Sequence, residues 1–169
     1  MRLLIDTLVA LMLAGLLGGI LLYRQQDRTS DERIEQVQQS LQRIRQQVVL
    51  HAAMADTDLT GRGFPAEIDP EWFADSLPEN SLAQGNHPWV EIASRGHADL
   101  RNPPVRVLLD ESYATFWYNP YQGLVRARVP GDVSDERALQ FYNRINGTRI
   151  DLIVDQSARR SLVEAPPEG

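Results

Sequence analysis

The sequence predicts an α+β fold, a long N-terminal helix packed on a small antiparallel sheet. Three observations predict it. An apolar run from Leu3 to Tyr23 passes into a stretch whose apolar residues recur at helical spacing as far as Val48. From Trp89 the hydrophobic period falls to two, the period of a strand. A further helical stripe, Leu139, Tyr142 and Ile145, lies between a serine cap and a glycine stop. The chain divides accordingly into an anchor helix at 1–23, an amphipathic helix at 24–55, a small α+β domain at 56–156 and a disordered tail at 157–169.

The first element carries a single charge between Leu3 and Tyr23, Asp6. At ~1.5 Å per residue it spans about 30 Å, the thickness of a hydrocarbon core. A cleaved signal peptide has a shorter apolar part and ends at small residues. Tyr23-Arg24-Gln25-Gln26 offers no such end, so the run reads as a retained membrane anchor with lipid as its partner. Tyr23 and Arg24 suit the interface. Gly15 and Gly19 form a small-xxx-small pair that allows close helix approach. Asp6 is costly in hydrocarbon unless a partner meets it. Asp6, Gly15 and Gly19 are therefore the candidates for homo- or hetero-association through this helix.

In the second element Ser30 is the N-cap, with Asp31 and Glu32 in the first turn. Ile34, Val37, Leu41, Ile44 and Val48 follow at spacings of three and four. That is about two heptads, too few for a coiled coil, so the stripe is expected to face the domain's own sheet. Val49, Leu50, Ala52, Ala53 and Met54 widen the apolar face, which predicts the deepest insertion at the helix end.

Residues 56–87 read as a loop-rich connection with one helical turn at Pro70–Ser76, capped by Asp69. Phe64, Trp72, Phe73 and Leu77 are its expected anchors on the core. Strands are expected at Trp89–Ala93, Pro104–Leu109, Ala114–Tyr118, Leu124–Val129 and Ile150–Val154. The third and fourth flank a turn at Asn119–Gly123, a hairpin signal. Val125, Ala127 and Val129 share one face, and Arg126 and Arg128 are expected on a wet one. The second helix starts at Ser134 and stops at Gly147.

Composition removes several functions. The net charge is −6, and all 17 basic residues are arginine. A basic face for phosphate is not expected, hence no nucleic-acid partner. There is no cysteine, which excludes disulfides, thiolate metal sites and thiol catalysis. No Gly-x-Ser-x-Gly, phosphate loop or His-Glu-x-x-His occurs. His51, His87 and His97 are the only histidines. Asp56 with Asp58, and Asp110 with Glu111, read as solvated acid pairs rather than cation ligands. The expectation is a non-enzymatic protein without cofactor or metal. Asn146-Gly147-Thr148 matches a glycosylation sequon, a frequent chance match.

Several motifs then align with a family. Leu4-Ile5-Asp6 opens the long helix; Gly63-Phe64-Pro65 and Leu77-Pro78-Glu79-Asn80 follow it. An aromatic hairpin runs from Ala114 to Ala127, with Asn119-Pro120 before its turn and Val125-Arg126-Ala127 after it. In this order, over residues 3–130, the chain resembles the pseudopilins of type II secretion and related type IV pilin-like proteins. The resemblance implies a pilin-like fold, assembly through the N-terminal helix, and Asp6 meeting the amino group of a neighbouring chain. It places the N-terminus in the cytoplasm and the C-terminal domain on the exported, periplasmic side of the inner membrane. The departures are Asp6 in place of the family's Glu, no helix-bending Pro, and only Met1-Arg2 before Leu3 where precursors carry a leader. Either translation starts further upstream or the chain is an unprocessed anchored form.

Two functions follow from this reading. The first is a membrane-anchored, pseudopilin-like structural subunit of a secretion or pilus-like assembly. The second is a monomeric single-pass accessory or binding protein with an exported α+β domain.

Overall fold

The computed structural model describes Met12, residues 30–74 and residues 76–153. Met1–Arg33 and Ile34–Gly169 are separate compact units. All elements below lie in the second unit, except that the first turn of α1 starts in the first. The tail at 157–169, the candidate residues Asp6, Gly15 and Gly19, and the anchor at 3–23 apart from Met12 lie outside the described residues.

Helix α1 covers residues 30–54. Its stripe of Ile34, Val37, Leu41, Ile44 and Val48 is at most 1% exposed at every position. Each such side chain stabilises the fold by about 1.5–3 kcal/mol over its exposed state. Insertion does not deepen toward the helix end, as the sequence suggested. Val49, Leu50 and Met54 are 62%, 47% and 51% exposed. The reason is angular: these positions step off the stripe, and among the described residues no further element reaches round to cover them. The helix stops at Ala55, which takes φ 52° and closes the turn by donating its N–H to the His51 carbonyl.

The sheet is mixed, which corrects the antiparallel expectation. Strand β1 (Val90–Ile92) pairs in parallel with β3 (Phe116–Asn119), and β3 pairs antiparallel with β4 (Leu124–Ala127), in the order β1-β3-β4. A second, two-stranded parallel sheet joins β2 (Val107–Leu108) to β5 (Val129–Pro130). The cause is connection length. The chain from Ala93 to Thr115 is too long for a hairpin and crosses the sheet, so β3 re-enters beside β1 in the same direction. The expected strand at 124–129 is two strands, because the chain leaves one sheet and joins the other at Arg128. Residues 150–153 of the expected last strand have no strand structure, and Val154 lies outside the described residues.

One face of the sheet carries Phe116, Tyr118, Val125, Ala127 and Val129, which share a core with the α1 stripe and with Ala138, Tyr142 and Ile145 of α2. Helix α2 (Asp135–Asn146) is capped by Ser134, whose hydroxyl accepts from the Arg137 N–H, and ends at Gly147 with φ 62°, a left-handed residue that suits glycine. Its last residue seals the sheet. The Asn146 amide accepts from the Ala127 N–H at 2.8 Å and donates to the Ala127 carbonyl at 3.0 Å, as a neighbouring strand would. Asn146 is 5% exposed, so the sequon is a packing residue and no glycan site.

The opposite face was expected to be wet and is not. Arg126 is 8% exposed and Arg128 1%, and Trp117 between them is fully buried. Residues 97–114 lie over this face. Asn119 donates its amide to the carbonyls of His97, Ala98 and Leu100, and Arg128 donates to those of Val105 and Ala114. The two-residue alternation holds, and the second face is buried because a segment distant in sequence covers it.

Among the described residues no helix is long and apolar enough to cross a membrane. The placement as a single-pass inner-membrane protein is corrected on that finding.

The α1 stripe gives a direct test. Ile44→Ala in the full chain should cost about 2–5 kcal/mol, seen as a lower denaturant midpoint at unchanged slope. Leu50→Ala, six residues on and 47% exposed, should stay within about 0.5 kcal/mol of wild type.

Candidate functional site

A cleft of about 590 Å³ lies at the C-terminal end of α1. Three local structures build it. The end of α1 presents His51. The following loop supplies Asp56, Thr57 and Asp58, and is held by an isolated bridge between Leu59 and Pro65. A 3-10 turn at Pro70–Trp72 supplies the opposite wall; Asp69 caps it by accepting from the Glu71 N–H at 2.9 Å, with Pro70 opening the turn as expected. It is shorter than the turn foreseen to Ser76. Ile68 is buried beneath, and Glu67 and Asp69 stand at the rim.

Within the cleft His51 and Trp72 stack with ring centroids 4.0 Å apart and planes 16° from parallel. The Nδ1 of His51 lies 2.9 and 3.1 Å from the two carboxylate oxygens of Asp56. An imidazole fixed by a carboxylate on one nitrogen is the orienting half of a base dyad. Among the described residues no hydroxyl is hydrogen-bonded to its other nitrogen. The cleft thus gathers an aromatic wall, one imidazole and the carboxylates of Asp56, Asp58, Glu67 and Asp69, a surface suited to a cation. Asp56 and Asp58, expected from sequence to be a solvated pair, meet in this cleft with His51.

The other histidines are elsewhere. Both ring nitrogens of His87 lie against backbone carbonyls, of Tyr113 at 3.0 Å and Gln84 at 2.8 Å. It lines a smaller cavity of about 340 Å³ with Leu108, Asp110 and Glu111. The Asp110 carboxyl is held below the usual range by hydrogen bonds from the Ser112 hydroxyl and N–H. His97 sits in the 3-10 turn Arg95–His97. Among the described residues no group of three or more His, Asp or Glu is placed to hold a metal. Of the loop anchors, Phe73 is buried, Phe64 and Trp72 half-buried, and Leu77 is 38% exposed, a correction. Trp89 does the work expected of Leu77, meeting Phe73 edge to face and donating its indole N–H to Pro78.

A second polar centre surrounds Tyr142. Its hydroxyl donates to Asn102, which also accepts from Arg126 Nε at 3.2 Å. Arg45, Arg106, Arg126 and Arg128 all act on this phenol electrostatically. Among the described residues one acid answers them: Glu91 pairs with Arg128. Burial lowers the pKa of Arg45 and Arg126, and each has an arginine neighbour that adds to the effect. Arg106 Nε and Trp117 Nε1 are buried without a hydrogen-bond partner among the described residues. Only an arginine count on the covered face would have revealed this centre.

No family model, no curated protein and no solved structure matches the chain. The assignment to secretion therefore draws no support from known proteins.

Burial raises the pKa of Tyr118 and Tyr142 above the ordinary tyrosine range. A group whose folded pKa is raised lends stability that is complete below its unfolded pKa, about 10, and is lost as pH rises beyond it. An absorbance titration should show these two phenols ionising late, together with loss of the fold. Early ionisation of all five tyrosines, with the fold intact, would contradict the burial.

Proposed function

We propose that the chain is a structural subunit of the pilin-like kind, working through association in a multi-copy, pilus-like assembly and not through turnover of a substrate. One observation supports this reading above the others: a single long helix supplies five fully buried core residues to a sheet whose central hairpin holds the aromatic run Phe116-Trp117-Tyr118. That arrangement makes the domain a clamp on its own helix. The order of motifs from Gly63-Phe64-Pro65 to the hairpin points the same way.

The cleft at His51 and Trp72 favours a second reading, a monomeric accessory protein that binds a cationic group. The two separate by mass. As a subunit, the purified full chain should associate as its concentration rises, with adducts beyond dimer after chemical cross-linking. A chain that stays monomeric throughout, yet binds small guanidinium or ammonium compounds with quenching of Trp72, supports the accessory reading and ends the subunit one.

A further inference from the structure

We infer that the arginine cluster around Val125, on the stretch of the β4 edge that Asn146 does not seal, is a carboxylate-binding site, and that a second copy of this chain fills it with the acidic rim of its His51–Trp72 cleft. This rests on the subunit reading and supplies its contact.

The geometry begins at one oxygen. Arg45 Nη2, from α1, and Arg126 Nη1, from β4, each lie 3.2 Å from the Val125 carbonyl. Two cations thus converge on one neutral acceptor, and Arg101 lies close enough to Arg126 to repel it. Among the described residues no carboxylate pairs with any of the three; the one acid of the cluster, Glu91, pairs with Arg128. Arg126 is more than nine-tenths buried, with Nε on Asn102 and Nη1 on Val125, while its Nη2 has no hydrogen-bond partner among the described residues and is not one of the buried atoms, so it is free to meet an incoming group. A guanidinium held in a protein is unfavourable until an anion or full hydrogen bonding offsets its lost hydration. Two adjacent guanidiniums with free N–H groups match the forked geometry of a carboxylate.

The occupant follows from charge complementarity. The same molecule carries an unanswered acidic surface. Asp58 and Glu67 line the cleft, both are exposed, and neither side chain has a hydrogen bond or ion pair among the described residues. The two surfaces cannot meet within one chain. His51 follows Arg45 by six residues on α1, which places them ~9 Å apart along the helix and about 120° apart around it. Between copies they are complementary, and such a contact of unlike patches extends from copy to copy unless a ring closes it. Attraction between exposed charges weakens with salt, so the contact should as well.

The test is sedimentation of the full chain at low and high salt, with Arg101→Glu, Glu67→Arg and an equimolar mixture of the two. Both positions are exposed, so neither variant threatens the fold. Each variant alone should associate at least about tenfold more weakly than wild type, and the mixture should recover association, because each supplies the patch the other lacks. Arg149→Glu, the same charge change elsewhere, should leave association unchanged. If the wild type associates and the single variants match it, or if Arg149→Glu weakens it equally, this contact is wrong and the subunit reading survives. A wild type that stays monomeric at every concentration and salt overturns both.

Discussion

Arg128 is the tie on which the sheet depends. Its guanidinium is almost wholly buried, yet all three nitrogens are used: Nε on the Val105 carbonyl, Nη1 on that of Ala114, Nη2 on Glu91. Its backbone N–H donates to Thr115, and its carbonyl accepts from the Asn80 amide. One residue thus joins β1, the crossing segment, the entry to β3 and the loop after α1. It also sits where the chain passes from one sheet to the other. A buried cation is tolerable only when so completely bonded. The Tyr113 ring, 5.6 Å from its guanidinium carbon, adds a cation–π contact.

Around this tie the two faces are held by different physics. The α1 side is a close-packed apolar layer, where area removed from water dominates. The other side is a net of side chains donating to the carbonyls of the covering loop, from Asn119, Gln122 and Arg128. A loop laid over a sheet has many backbone acceptors and no ladder to satisfy them. Arginine and asparagine, rich in donors, meet that need, which gives the covered face its composition.

What was legible in the sequence was local. The spacing from Ile34 to Val48, the Ser134 cap, the Gly147 stop, the Asp69-Pro70 turn and the hairpin all follow from period and cap chemistry. What was not legible was long-range. Period two tells which side chains share a face, not whether something covers the other face, so Arg126 and Arg128 looked solvated. Strand direction depends on the path from Ala93 to Thr115, which no local pattern encodes. The candidate cleft was hidden for the same reason. His51, Asp56 and Trp72 stand up to 21 residues apart in the sequence, and their meeting depends on a loop folding back on the end of α1.

Asn146 gives the fold a slow chemical clock. An asparagine followed by glycine is among the pairs most prone to lose its amide nitrogen, because the next backbone nitrogen can attack the side chain. Here the amide is held by Ala127 at both ends and by the Tyr142 carbonyl, so that attack must wait for the last turn of α2 to open. Once it occurs, the new carboxylate has no proton to give the Ala127 carbonyl. The edge of β4 is then unsealed and opens more readily still. Ageing at this one bond is therefore self-reinforcing, and the lifetime of the folded molecule is tied to how tightly a single helix end is kept shut.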